Sequence, residues 1–320
     1  MSAARSQTGL LPEHLWPALR TAVNDVFRPQ GGDLTEETPL LFESANRANL
    51  RVVLGMGMSP AFSPIFSPIW AHVGLCMRDA RIGKSQIRVA CVGAVFTAPG
   101  QRGRGLASRL LEDTLTHARK MCDLVMASGD GGLYRRQGLL PIPPLARFLV
   151  PAQADGENPV PGRLEIRGAA RADLESMAAL YDAEDMHFIR PPGDWDSLWQ
   201  AGRLVDLPAT FSVVARAGRT VAYLASHRSK SGVRRILEIA GDREAILDAA
   251  PRLADELAVP AYDEATIGLC EEKGWTRTTL PLRITAQVLS SASSTKPEAS
   301  ANAVASATAS AIPWYGLNYL

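Results

Sequence analysis

Gln101-Arg102-Gly103-Arg104-Gly105-Leu106-Ala107 is the stretch of this sequence whose residue types and spacing come nearest to chemistry on their own. Its glycines let the chain bend and leave the backbone uncovered, so an anion can approach amides that a Cβ would obstruct. Where a helix begins at such a turn, its first N–H groups lack partners and its dipole adds positive potential, which together make a phosphate site. An Arg-Gly-Arg-Gly string by itself describes a solvated basic turn equally well, so the flanking elements must decide. A second group lies about thirty residues on, Tyr134 in Gly132-Leu133-Tyr134-Arg135-Arg136-Gln137-Gly138-Leu139. A phenol, with an ordinary pKa of about 10, has the acidity to protonate an anionic leaving group.

The elements needed to position these residues are legible around them. Ile87 to Thr97 is Val-rich and nearly continuous in apolar character, as a strand covered on both faces would be, and Pro99 and Gly100 end it. His72 to Arg78 is a partner strand, with the turn at Gly83. Gly105 to Lys120 is an amphipathic helix with Leu106, Leu110, Leu111, Thr114, Leu115 and Ala118 in one stripe, and Arg119 and Lys120 suit its C-terminus. Asp123 to Ser128 is a further strand, and Gly131 to Gln137 turns into a short helix that Gly138 stops. Upstream, Leu10 to Phe27 has helical spacing and Gln30 to Glu37 is a turn. Arg51 to Trp70, with Pro60, Pro64 and Pro68, reads as an ordered apolar loop.

A strand, a glycine turn, a helix and then the Leu-Tyr segment resemble the GCN5-related N-acetyltransferase (GNAT) superfamily. Its pyrophosphate loop has Arg or Gln, two residues, Gly, one residue, then Gly or Ala, and Arg102, Gly105 and Ala107 fill those places. The resemblance implies an α/β fold with a mixed central sheet flanked by helices, and acetyl-coenzyme A as co-substrate without a metal. It implies direct transfer, in a ternary complex, to a primary amine of a small molecule or a protein lysine. It places the coenzyme A arm and thioester on the backbone of Val92, Ala94, Val95, Phe96 and Thr97, with Gly93 as the candidate bulge. It places the pyrophosphate on Arg102, Gly103, Arg104, Gly105, Leu106 and Ala107, and makes Tyr134 the acid. The general base is the unfilled role, because the central strand has no carboxylate; His72, Asp130 and the chain's terminal carboxylate are the candidates. A non-catalytic protein that senses or carries acyl-coenzyme A is the rival reading.

At 320 residues the chain fits two domains of about 150 residues each. The expected partition is a catalytic domain over 1–150, a linker over 151–162 rich in Pro, Gly, Asp and Asn, and a second, degenerate copy of the fold over 163–289. An Ala/Ser-rich flexible linker follows over 290–311, and an apolar, aromatic anchor over 312–320. In the second half, Asp173 to Tyr181 reads as a helix, Phe211 to Arg216 and Thr220 to Ser226 as a hairpin around Gly218, Arg235 to Ala240 as a strand, and Arg243 to Leu257 as a helix. Glu238-Ile239-Ala240-Gly241-Asp242 stands where a second phosphate loop would be, and its acidic groups would repel a diphosphate. His187, Trp195 and Trp199 are candidates for lining the acceptor cleft. An intact domain, a degenerate one and a returning terminus together resemble the enhanced intracellular survival acetyltransferases. That resemblance implies that the carboxylate of Leu320 is the base, delivered by Trp314, Tyr315 and Tyr319. Those relatives carry a third, sterol-carrier-like domain for which this sequence has no counterpart.

The charge balance, 34 basic against 33 acidic residues, gives no reason to expect a nucleic-acid or membrane partner, and leaves an oligomer open. Met1 to Arg20 has no continuous apolar core of the signal-peptide kind, which points to a cytoplasmic protein. Cys76, Cys91, Cys122 and Cys270 lie in apolar stretches without metal-ligand spacing, and are expected as buried, reduced thiols.

Overall fold

The computed structural model describes residues 5–56, 68–152 and 164–289. The strands, in chain order, are β1 (Arg5–Leu10), β2 (Arg51–Met56), β3 (Ile69–Ile82), β4 (Ser85–Thr97), β5 (Leu124–Ser128), β6 (Leu140–Pro141), β7 (Leu145–Leu149) and β8 (Leu164–Gly168), then β9 (Met186–Phe188), β10 (Arg203–Leu204), β11 (Leu207–Arg216), β12 (Arg219–Arg228), β13 (Arg234–Gly241), β14 (Glu256–Val259), β15 (Thr276–Leu280) and β16 (Ile284–Val288). The helices are α1 (Trp16–Phe27), α2 (Leu34–Glu37), α3 (Pro39–Phe42), α4 (Leu106–Ala118), α5 (Gly132–Arg136), α6 (Leu174–Asp182), α7 (Pro192–Ala201), α8 (Arg243–Leu253) and α9 (Glu264–Glu272). They flank two eight-stranded mixed sheets. The first runs β1-β2-β3-β4-β5-β16-β6 with β9 added on β3, and the second runs β10-β11-β12-β13-β14-β7-β15 with β8 added on β11.

The two sheets repeat one plan. Each has antiparallel ladders around a single parallel pair, β4 with β5 and β13 with β14. In each, a helix makes the crossover between the parallel strands, α4 in one and α8 in the other. The first sheet is covered on both faces. Leu19 and Val23 of α1 and Phe42 of α3 pack with Ile87, Val89 and Cys91 on one face, and Leu110, Leu111 and Leu115 of α4 pack with Val73, Leu75 and Val92 on the other. That double coverage is why β4 reads as an unbroken apolar run.

Local expectations for the first half hold closely around β3, β4, α4, β5 and α5, and Gly83 turns β3 into β4 at φ 56°. Arg51–Met56 is a strand rather than part of a loop, because the prolines that exclude regular structure all lie beyond it. The helix expected over Arg243 to Leu257 ends at Leu253, and Glu256–Val259 joins the second sheet as a strand. Apolar residues continue at helical spacing across that boundary, so periodicity alone does not show the stop.

The sheets do not follow the order of the chain. β7 precedes the segment 151–162 yet pairs with β14 and β15 in the second sheet, while β16, near the end of the described chain, pairs with β5 and β6 in the first. Ile142, Pro143 and Pro144 separate β6 from β7. Two residues without a backbone N–H cannot continue a ladder, so the chain leaves the first sheet there and enters the second. β9 likewise comes from the second half and pairs with β3. The compositional boundary is thus a boundary in sequence and not between sheets.

Candidate active site where two strands part

β4 and β5 are parallel partners only from Val89↔Leu124 to Val92↔Ala127. Beyond Val92, β4 continues to Thr97 still paired with β3, so its other edge is left open where β5 ends. A bulge begins at the same place. His72 pairs with Phe96 and Gly74 with Gly93, so β4 carries one residue more than β3 between those pairs. The side-chain alternation shifts accordingly: Ile87, Val89 and Cys91 face the α1 side, and past the bulge Ala94 and Phe96 do. Gly93 was the expected bulge residue. The strained position is instead its neighbour Ala94, at φ 51°.

His72 holds that strain in place. Its Nδ1 lies 2.8 Å from the Ala94 carbonyl oxygen, and its ring sits between Phe42, stacked at 6.1 Å, and Phe96 at 5.8 Å. Complete burial pushes its pKa down to about 4, against a smaller opposing effect of the Ala94 bond. A neutral, fully enclosed imidazole is not available to take a proton from a bound amine, so His72 is removed from the candidates for base. Asp130, the second candidate, pairs with Arg283 at 3.2 Å. Leu320, Trp314, Tyr315 and Tyr319 lie outside the described residues.

Thr97 leads through a 3-10 turn at Pro99–Gln101 into the glycine loop. Gly103 and Gly105 adopt φ 77° and 71°, a left-handed backbone that other residues adopt only at a cost. Gly105 is the N-cap of α4 and supplies no side-chain cap. Arg109 N–H is the first in α4 to find an intrahelical acceptor, Gly105 O at 3.1 Å. The amides of Gly103, Arg104, Gly105, Leu106, Ala107 and Ser108 find no acceptor among the described residues. Leu106 has its side chain in the core, so only its backbone is offered, and Ala107 is half-buried. Arg102 Nε donates to Thr97 O at 3.4 Å, and the Arg104 guanidinium lies 5.0 Å from the Trp70 ring centroid and donates to Gln101. Both arginines are exposed, so the loop is a positive rim around unpaired amides.

Tyr134 stands at the other lip. Gly129 follows β5, and a Cβ there would lie 2.4 Å from Cε2 of Tyr134, so the phenol rests on bare backbone next to the strand end. The residue is 8% exposed and shares an apolar cluster with Val92, Val95, Leu106 and Leu110. Val92 and Val95 of β4, Leu106 at the end of the glycine loop and Tyr134 thereby meet in one apolar cluster where β4 and β5 part.

The second sheet has the corresponding crevice, narrowed to a cavity lined by Tyr181, Glu184, Glu238, Arg243, Tyr262 and Asp263. β13 pairs with β14 only at Arg235↔Glu256 and Ile236↔Leu257, and it carries its own bulge between the partners of Ala225 and Ser226. Glu238 at that bulge takes two hydrogen bonds from the buried Arg190, at 3.0 and 2.8 Å, and one from Tyr223 Oη at 2.8 Å. The Arg190 guanidinium lies over Tyr181 at 3.8 Å and Trp195 at 4.9 Å. At the start of α8, Asp242 accepts from Ala245 N at 3.0 Å and pairs with Arg216. The helix N-terminus that would attract an anion is already capped by a carboxylate. Trp195 (3% exposed) and His187 (2%) are core residues, and the half-buried Trp199 packs on Phe211 at 5.1 Å.

The described cysteines are free and buried, and burial pushes the Cys76 thiol up to about 12 and Cys91 well above its ordinary value. Among the described residues there is no group of three His, Cys, Asp or Glu able to hold a metal ion, and no helix long and apolar enough to cross a membrane.

Comparison with known proteins agrees with this geometry. Residues 67–139 match the family model "Acetyltransferase (GNAT) domain", which spans β3, β4, the glycine loop, α4, β5 and α5. No curated protein matches the chain. Among solved structures, a probable N-acyltransferase from Enterococcus faecalis V583 is similar at TM-score 0.64 and 13% identity, over 89% of this chain and 72% of that one. A GCN5-related N-acetyltransferase from Anabaena variabilis is similar at TM-score 0.63 and 16% identity, over 89% and 73%. Eis1 from Mycobacterium abscessus is similar at TM-score 0.59 and 16% identity, over 89% and 74%. Residues 67–139 thus match a GNAT acetyltransferase domain, and the chain with its two mixed sheets has the fold of the GCN5-related N-acetyltransferase and Eis1 structures.

Proposed function

We propose that the protein is an N-acetyltransferase that moves the acetyl group of acetyl-coenzyme A to a primary amine of a small molecule or protein. The observation that carries the reading is the set of unpartnered amides from Gly103 to Ser108 at the mouth of α4, beside the edge that β4 leaves open. Such amides, with the helix dipole behind them, match the charge and shape of a diphosphate. The open edge of β4 offers backbone groups to the amide-bearing arm that a coenzyme A diphosphate would lead into the sheet.

In the reaction the amine nitrogen attacks the thioester carbonyl carbon, the C–S bond breaks, and the thiolate leaves with a proton. Tyr134 is assigned to give that proton. The amine must first be neutral, since an alkylammonium has a pKa of about 10.4 and no lone pair. We assign its proton to the carboxylate of Leu320, and turnover by a chain ending at Ala311 equal to that of the full chain overturns this assignment. No cysteine is used: all four are buried, and direct attack needs no enzyme nucleophile.

A second reading is supported by the lack of an available base near the bulge among the candidates described, with His72 enclosed and Asp130 paired. It makes the protein a sensor or carrier of acyl-coenzyme A. Incubation with acetyl-coenzyme A and a panel of amines, with free thiol followed over time, separates the two. Amine-dependent thiol release supports the enzyme, binding without release on any amine supports the sensor, and absence of binding rejects both.

A further inference from the structure

Ala94 is a non-glycine residue at φ 51° inside a strand. Its Cβ crowds the following carbonyl in that region, so such a residue persists only where its surroundings over-determine it. The group that holds it is His72 on β3, with Nδ1 2.8 Å from the Ala94 carbonyl oxygen. A carbonyl oxygen only accepts, so Nδ1 carries the proton and Nε2 is the bare nitrogen. Nε2 is buried without a hydrogen-bond partner among the described residues. A phenylalanine would continue the ring stack of Phe42 and Phe96 and leave no orphaned acceptor, so packing alone does not account for the histidine.

The second sheet serves as an internal control. β13 parts from β14 and carries a bulge, yet its backbone has no positive φ before Gly241. His227 on the adjacent strand β12 has both ring nitrogens buried and unpartnered, so it does not hold that bulge. Parting the strands therefore requires neither a left-handed residue nor a histidine anchor. Of the two bulges, only the one in the sheet whose phosphate loop is open has a left-handed residue held by a histidine.

A trans peptide is planar, so its C=O and N–H point in opposite directions, and the described chain has no cis bond. Fixing the Ala94 carbonyl on His72 aims the Val95 N–H the other way. We propose that His72 is a positioning residue that locks the Ala94–Val95 peptide, so that the Val95 N–H is presented to the acyl oxygen of the bound thioester. This rests on the acyl-transfer reading given above. An aimed donor of this kind contributes where negative charge grows on that oxygen, and so to kcat more than to binding.

Two measurements test it. Nitrogen-15 spectra of the histidine side chains should show His72 as the neutral Nδ1–H tautomer. The Val95 amide resonance should move in His72→Phe and return toward wild type in His72→Asn, whose carboxamide nitrogen stands where Nδ1 did. An Nε2–H tautomer, or a Val95 amide indifferent to His72→Phe, overturns the proposal whether or not the protein turns over. In the amine assay, His72→Phe should lower kcat about 10- to 100-fold with KM for acetyl-coenzyme A little changed, and His72→Asn should recover most of the loss. If wild type transfers acetyl and His72→Phe does so equally well, or loses only in KM, this inference alone falls. If wild type transfers acetyl to no amine, the acyltransferase reading falls and takes the catalytic half of the inference with it, while the spectra still judge the peptide lock.

Discussion

Tyr134 at the end of β5 and His72 enclosed behind the β4 bulge call for different tests. Tyr134→Phe keeps the ring on Gly129 and removes only the hydroxyl, so it should leave KM for acetyl-coenzyme A unchanged while kcat falls by about 100-fold, the low end for loss of a general acid. Steady-state kinetics check this, and an unchanged kcat removes the acid role. For His72 there is also a pH signature in stability. The unfolded ring takes a proton near pH 6.5, whereas the folded ring resists until about 4. The unfolded state therefore binds more protons between those values, and the contribution is complete above 6.5 and lost as pH falls toward 4, with a ceiling of about 3 kcal/mol. His117, His187 and His227 are shifted in the same direction, chiefly by burial, so they add to the same window. Asp33 and Asp173, held down at about 2, act only below it: Arg167 holds Asp173, and at Asp33 bonds from Thr35, Asn24 and Arg20 outweigh the effect of burial. Urea unfolding at pH 7 and pH 4.5 should show a smaller loss for His72→Phe than for wild type.

At the scale of elements, the mouth of α4 and the mouth of α8 are the same device used in opposite ways. Gly105→Ala places a Cβ where no protein atom lies within 4 Å, so its cost to folding is the backbone strain of φ 71°, roughly 1 to 2 kcal/mol. Its effect on acetyl-coenzyme A should be larger, a Kd raised about tenfold or more, because the methyl group covers the amides a diphosphate needs. Calorimetric titration measures it, and an unaltered Kd means the anion sits elsewhere. The glycine loop, α4 and Tyr134 were legible from sequence because each is local: a turn, a stripe and a stop within a few residues of one another. The bulge was legible only in part. Glycine at 93 is the cheaper residue to distort, but a bond from His72, about twenty positions away in sequence, moves the distortion to Ala94. The shift in alternation that would have marked it is masked, since β4 is apolar toward both faces. The acidic replacement at Asp242 was readable as a departure from the loop pattern, whereas the pairing of Glu238 with Arg190 was not, because that arginine follows β9, far from β13 in the chain.

On the scale of the whole molecule, what sequence could not show is which sheet each strand joins. Leu145–Leu149 and Ile284–Val288 have strand-like composition that suits either sheet, and pairing partners are set by contacts far apart in the chain. Each sheet therefore depends on a strand from the other half. A fragment ending at residue 152 lacks β16 and β9, exposes the edge of β5, and carries β7 with no sheet to join. Produced alone, such a fragment should show no cooperative thermal transition, while 1–152 and 164–289 produced together should co-purify; a sharp melt from the first fragment alone would refute the interdependence. The crossing of β16 also bears on synthesis. A ribosome releases residues 85–136, and with them every group assigned to the coenzyme, long before the strand that closes the edge of β5 has been made. Until about residue 289 emerges, the nascent chain presents an unfinished sheet with a bare ladder of amides and carbonyls, so its exposure to aggregation ends only once β16 has been made.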